Sequence, residues 1–420
     1  MKTNETTKRI ANNAAMLMIF NIAKIIFPFV TLPYLTRILS TETYGIVTYV
    51  KTVMNYMQIF VDFGFVLSAT KDIVKIRESK DKMAFVIGDT MIARIILGLL
   101  GFVVIAILSI LLPILRENFI YTCLSYVAVF ESIFLMDFLF RGLEKMQIIT
   151  IRFILMKLIS TVFTFIFIKN DSNVIFIPIL EIISSTVAII LVFYEFKKMN
   201  LKVKFTKIEN AFKSIKESFV YFLSNVASTS FNAFSTIIIG IYISKTEVAF
   251  WGLCIQIIGT IQACYSPISD GIYPEMIKSK NLDLIKKVLK IFIPIILIGC
   301  ILAYFLAETC LKILGGDEYI NAVSIFRLLI PVLFFGFLGI MFGWPTLGAI
   351  GKSKQVTIST ISGICVNIVL ILLLLITNNF NLITIAIARD ITEIVFFSVR
   401  FYFFKKYKYL FKERNYEVIK

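Results

Sequence analysis

Between Thr48 and Asp62 polar residues recur at Thr48, Lys51, Asn55, Gln58 and Asp62, in steps of three and four, and most positions between them are apolar. At 3.6 residues per turn these five share one helical stripe. The enclosing segment, 44–69, is long enough to cross a bilayer. A lysine, an aspartate and two amides are therefore expected within membrane depth on a single face. Charges there are costly and persist mainly where they face a bundle interior or a wet cavity.

Apolar segments of spanning length recur along the whole chain, at about 12–38, 44–69, 83–112, 118–140, 147–168, 174–196, 217–243, 248–274, 288–307, 320–349, 355–376 and 381–404. This pattern predicts an all-α integral membrane protein of twelve transmembrane helices. Other spans also carry polar faces. The first has Asn21, Lys24, Pro28 and Thr31, and Pro28 and Pro33 are expected to kink it. The seventh has Asn225, Ser228, Thr229, Asn232, Ser235 and Thr236. The eighth has Gln256, Thr260, Ser266 and Asp270, with Pro267 and Pro274 breaking its inner end. The richest stripes thus open the two halves, where facing helices would line a central cleft. Stripes of Ser, Thr and Asn also serve as hydrogen-bonding glue between helices, and Lys24 and Lys51 have a structural alternative as partners of Asp62 or as snorkelling side chains.

Composition agrees with the class: of 420 residues 58% are hydrophobic and 17% charged, and the mean hydropathy is +0.88. The net charge of +16 would suggest nucleic acid in a soluble protein. Here the Lys and Arg residues divide 31 to 5 between alternate connections, counting 1–9, 70–82, 141–146, 197–216, 275–290, 350–354 and 400–420 on the rich side. That is a topology signal placing both termini in the cytoplasm, and it argues against nucleic acid as a partner. The Lys-rich segment 197–216 divides the chain into a six-helix lobe (1–196) and a second six-helix lobe (217–404), followed by a basic tail (405–420). An even number of spans per half makes the lobes parallel repeats. Segment 38–45 weakly resembles 242–252, as repeats would. The first apolar run is too long for a signal peptide and reads as a retained span.

No catalytic constellation is visible. Histidine is absent, the six cysteines form no C-x-x-C pair, and there is no P-loop or D-x-D motif. We expect no enzyme activity, metal or cofactor; the coupling ion, H+ or Na+, stays open. Arg94 is expected to pair with Asp89 or Asp62, Arg152 and Lys157 to be interfacial, and Arg389 to pair with Glu393 at i,i+4. Glu131, Asp137, Glu181 and Arg327 have no evident partner, and Gly339 and Gly343 form a GxxxG packing signal.

The run Asn21 to Gly45, with Pro28, Thr31-Leu32-Pro33-Tyr34-Leu35-Thr36-Arg37-Ile38-Leu39 and Tyr44-Gly45, resembles the first hairpin of Wzx-type oligosaccharide flippases. Asp62-Phe63-Gly64-Phe65 and Leu67-Ser68-Ala69-Thr70-Lys71 continue the likeness, whose specific motifs lie within about 20–75, while length and the 6+6 plan match throughout. The resemblance implies the V-shaped two-lobe fold of the multidrug/oligosaccharidyl-lipid/polysaccharide exporters and a cationic cavity. The implied task is to move undecaprenyl-diphosphate-linked oligosaccharide to the outer leaflet of the bacterial inner membrane, for O-antigen or capsule. Lipid-linked oligosaccharide and membrane lipids would be partners, with a glycan polymerase and a chain-length regulator beside them. On this expectation Lys24 and Lys51 hold the diphosphate, and Asn55, Gln58, Asn225, Asn232 and Gln256 contact sugar. Asp62, Arg94 and Asp270 serve as charge partners or ion-coupling groups. A multidrug cation antiporter, a peptidoglycan-precursor flippase and a non-transporting scaffold are the alternatives; the antiporter predicts an acidic cavity.

Overall fold

The computed structural model describes residues 2–411, without the side chains of 2–11, 224 and 227–233, and contains no β-strand among the described residues. The chain divides into two units, Met1–Val226 and Ala227–Lys420, whose boundary falls inside a helix. The first holds α1 (Lys2–Ile38), α2 (Thr41–Asp62), α3 (Phe65–Ile76), α4 (Lys80–Leu111), α5 (Pro113–Glu117), α6 (Phe119–Glu131), α7 (Asp137–Gly142), α8 (Met146–Phe167) and α9 (Phe176–Lys198). Next comes α10 (Ile208–Tyr242), which runs on into the second unit. There follow α11 (Lys245–Ala263), α12 (Ser266–Ser279), α13 (Leu282–Phe305), α14 (Ala307–Gly315), α15 (Val323–Leu329), α16 (Pro331–Met341), α17 (Ser353–Ile376) and α18 (Leu382–Lys406).

Every predicted span falls on helix, and the chain is a multi-pass membrane protein. Nine stretches among the described residues are long and apolar enough to cross a membrane; α2, α10 and α18 are not among them. These three carry polar stripes or charges such as Lys51, Lys216 and Arg389, which lower their apolarity without ending the helix. α1 continues through Pro28 and Pro33. Of the segment expected to link the lobes, 201–207 has no regular secondary structure, 199–200 form a turn and the remainder is helical. The irregular piece lies along α4: the Lys204 amide donates to the Ala84 carbonyl at 3.0 Å and its ammonium meets Asp81 at 2.8 Å. The Thr206 hydroxyl donates to Asp89, while Arg94 pairs with Asp62.

Four predicted spans are broken. Segment 44–69 stops at Phe63 and Gly64, both left-handed (φ 41° and 79°), and resumes as α3. Segment 118–140 passes through a tight 3-10 turn, Ser132–Leu135, and a left-handed Met136 before α7. Segment 248–274 breaks between α11 and α12, where Pro267 sits in the first turn of α12 and Pro274 within it. Segment 320–349 breaks at Ile330 between α15 and α16. The first break allows a close approach by the start of α10. The Phe63 ring stacks on Phe222 at 4.3 Å, the Ser68 and Ser218 hydroxyls share a hydrogen bond of 2.6 Å, and a Cβ on Gly64 would lie 2.5 Å from that of Tyr221. The apolar core of this unit, including Phe65, Ile73, Ile87, Phe138 and Phe140, gathers where α3, the start of α4 and α7 meet.

In the second unit α18 packs against α15, α16 and α17. Arg389 and Glu393 form the expected pair at 2.6 Å. Arg400, counted with the basic segment 400–420, is instead buried in α18 and donates to the Gly339 carbonyl and to the hydroxyl of Ser359 at 3.0 Å. The GxxxG glycines make room for that helix: a Cβ on Gly339 would meet Phe396, and one on Gly343 would meet Arg400, each at 2.7 Å. Arg327 also has a partner, since its Nε donates to the Tyr304 carbonyl at 3.1 Å.

Substituting Gly64→Ala adds a left-handed penalty and a backbone-distance clash, and is expected to destabilise the protein by about 2 kcal/mol or more. Gly259→Ala, where an added Cβ meets nothing within 4 Å, is expected to be neutral or stabilising by up to about 1 kcal/mol. Unfolding midpoints of both variants in detergent test the contrast.

Candidate functional site

The first unit encloses a cavity of about 420 Å³ among α1, α2, α4, α6, α8 and α9. Four of the five residues of the opening stripe line it (Lys51, Asn55, Gln58 and Asp62), because α2 turns one face inward while Tyr49, Val50, Val53 and Met57 are buried in packing. Lys24 joins from α1 and Arg94 from α4. Five basic and three acidic side chains line the walls in all, and Lys24, Lys51 and Asn55 among these wall residues are exposed.

One end of the cavity is built on the break between α6 and α7. Interrupting a helix within apolar surroundings strands carbonyls that must find donors. Two arginines supply them. Arg94 donates to the Ile133 carbonyl at 3.2 Å and to Asp62 at 2.6 Å. Arg152 donates to the Leu135 carbonyl and to Asp137. The Gln58 amide bridges Asp62 at 3.0 Å and the Ser132 hydroxyl at 2.9 Å. Each guanidinium is thus buried, hydrogen-bonded and matched by a carboxylate, which is the arrangement under which a buried ion pair is tolerated. This pairing selects Asp62 of the two partners expected for Arg94, and gives Asp137 a partner that the sequence did not supply.

The remaining cations are differently placed. Among the described residues neither Lys24, Lys51 nor Lys157 is within ion-pair distance of a carboxylate. Lys24 lies over the Phe20 ring at 4.5 Å and feels Asp62, Asp137 and Arg141. Lys51 feels Lys157 and Glu181. The walls between them carry Tyr121, Ser125, Ser184 and Ser185, so hydroxyls stand beside the ammonium groups. An anion entering this space would meet an excess of basic over acidic side chains together with many hydrogen-bonding groups.

Other expected contacts are not gathered here. Asn225 lies on α10 and does not line the cavity, and the side chain of Asn232 is outside the described residues. Gln256 and Asp270 belong to the second unit, where Asp270 is exposed. Arg152 and Lys157, expected near the interface, line the cavity: the α8 face bearing Arg152, Phe153, Met156 and Lys157 turns inward, because the α6–α7 break offers Arg152 its partners. Glu181 was also missed as a wall residue. The spacing Ile177, Glu181, Ser184, Ser185 on α9 and Tyr121, Ser125, Ala128 on α6, continued by Ser132 in the turn that follows, repeats the helical steps of the α2 stripe and could have identified both faces.

Comparison with known proteins bears on this geometry. Residues 10–280 match the family described as polysaccharide biosynthesis protein. A protein of Escherichia coli (strain K12) named "Putative O-antigen transporter" is 26% identical over 98% of this chain and 100% of its own length. One of the same name from Shigella dysenteriae is 27% identical over 73% of this chain and 78% of its own length. Among solved structures, the lipid II flippase MurJ in an inward closed conformation superposes with a TM-score of 0.69 at 14% identity, covering 94% of this chain and 87% of that one. An inward-facing multidrug resistance MATE family transporter of the MOP superfamily gives 0.66 at 17%, covering 93% and 95%. The fold is accordingly the one shared by these transporters.

Removing Arg94 would leave Asp62 and a helix-break carbonyl without their donor. Because Asp62 is 27% exposed, Arg94→Ala is expected to cost about 3 kcal/mol, the low end for a broken buried pair. The double change Arg94→Met with Asp62→Leu should recover part of that loss, as read by thermal unfolding; an equal or larger loss would show that the pair is not what stabilises the break.

Proposed function

The chain belongs to the polysaccharide biosynthesis protein family, and on that premise we propose that it is a transporter rather than an enzyme, a flippase for lipid-linked oligosaccharide. The observation that carries the reading is the cavity in which, among the described residues, Lys24, Lys51 and Lys157 lie outside ion-pair distance of a carboxylate while both arginines are engaged in holding the wall. The substrate would be a glycan on a polyprenyl diphosphate, such as undecaprenyl diphosphate, for O-antigen or another surface polysaccharide. Lys24 and Lys51, joined by Lys157, attract the diphosphate. Asn55 and the hydroxyls of Ser125, Ser184 and Ser185 receive sugar, while Gln58 orients Asp62. The isoprenoid tail stays in the lipid.

Transport proceeds by alternating access, and the basic connections face the cytoplasm of a bacterium, so that the head group is loaded from the inner leaflet of the inner membrane. Both Asp62 oxygens have donors, so coupling of H+ or Na+ through it requires the contact with Arg94 to open. The flipped unit then passes to a polymerase and a chain-length regulator. Export of cationic drugs is the weaker reading, since basic groups outnumber acidic ones on the cavity wall.

Replacing both lysines, Lys24→Ala with Lys51→Ala, should reduce surface glycan at least about tenfold while folded protein stays in the membrane, since two charged contacts are lost. Normal export would overturn the assignment. In a deletion strain, undecaprenyl-diphosphate oligosaccharide should accumulate on the cytoplasmic leaflet. Unchanged lipid-linked pools with new sensitivity to cationic drugs would favour the exporter instead.

A further inference from the structure

A second cavity, of about 630 Å³, lies in the first unit where the ends of α3, α4, α7, α8 and α9 meet, and the transport reading uses none of its residues. Arg77, Lys80, Lys145 and Lys198 stand around it with Glu78 and Glu195. The charges are not equivalent. Arg77 is held by Glu144 at 2.7 Å, and Lys198 lies 3.8 Å from Glu195. Lys80 and Lys145 have no carboxylate partner among the described residues. Both converge on Met199 at the end of α9: the Lys80 ammonium donates to its carbonyl and that of Lys145 to its sulfur, each at 2.9 Å. A carbonyl and a thioether accept hydrogen bonds but cancel no charge. Two ammonium groups are thereby held close together with donors to spare, at a helix C-terminus whose dipole favours cations. Met83, Leu143 and Ile148 add apolar side chains to the same lining. A basic pair in a cavity that is also apolar, between helix ends, matches a phosphate joined to an acyl or isoprenoid chain.

We propose that this cavity binds the phosphate head of an anionic lipid, with Lys80 and Lys145 as its clamp. In the orientation proposed above, that lipid belongs to the cytoplasmic leaflet. Its source is either bulk phospholipid or an isoprenoid phosphate of the carrier type.

The test uses the full-length protein in phosphatidylcholine nanodiscs, titrated with phosphatidylglycerol, geranylgeranyl phosphate or inorganic phosphate, with adducts counted by native mass spectrometry. Lys80→Ala with Lys145→Ala is expected to weaken binding about thirty-fold, taking the usual contribution of each basic group near a charged lipid surface. Lys71→Ala with Lys75→Ala, on the same side of the unit but away from the cavity, should leave binding unchanged. Stronger binding of phosphatidylglycerol identifies bulk lipid as the source, and stronger binding of the isoprenoid identifies the carrier. Equal weakening by both double variants, or binding of inorganic phosphate as tight as that of either lipid, would overturn the proposal. Should the alanine pair fail to fold, Lys80→Gln with Lys145→Gln keeps the side-chain length and the same criteria. Because binding is read without transport, lipid retention in the Lys24→Ala, Lys51→Ala protein separates this site from the transport reading.

Discussion

The first unit depends on how it satisfies a broken helix within membrane depth. Hydrocarbon offers no water to the carbonyls of Ser132, Ile133 and Leu135, so protein donors must reach them. Arg94 and Arg152 arrive from two different helices, and each brings a charge that would be prohibitive alone. Asp62 and Asp137 remove that charge. The break, two guanidinium groups and two carboxylates form one interdependent set that fixes α2, α4 and α8 around the α6–α7 turn.

This arrangement sorts the charges of the cavity. Groups consumed by the break contribute shape, and groups left over contribute field. Arginine suits the first task, because its planar fork serves a carbonyl and a carboxylate together, and lysine suits the second, because a compact ammonium on a flexible stem can follow a ligand. The cavity uses them in that way: both of its arginines are bound to the wall, and its lysines are not paired. The second cavity follows the same logic at the end of the unit, where Lys80 and Lys145 rest on neutral acceptors.

The other constraint is the close approach at Gly64. A left-handed pair of residues ends α2, turns the chain and lets α10 come within packing distance of the break. Asp62, the last residue of α2, is thereby set immediately beside the aromatic contact of Phe63 with Phe222. The polar wall and the apolar core consequently meet within two residues.

The sequence by itself determined the class, the placement of helical spans and the inward stripe of α2, because apolar length and a 3.6-residue period are local properties of the chain. It also revealed the Arg389–Glu393 pair, whose partners are one turn apart. Tertiary structure decided which charges are paired. Arg94 had two candidate partners within reach, and only the fold of the linker gave Asp89 to Thr206. Arg152 and Lys157 looked interfacial from their nearness to the start of a span, and Arg400 was counted with the basic C-terminal segment. Each lies inward because a helix break or a glycine face on another helix, distant in sequence, provides a carbonyl for it or turns its helix. Such partners are set by packing, which no local period reports.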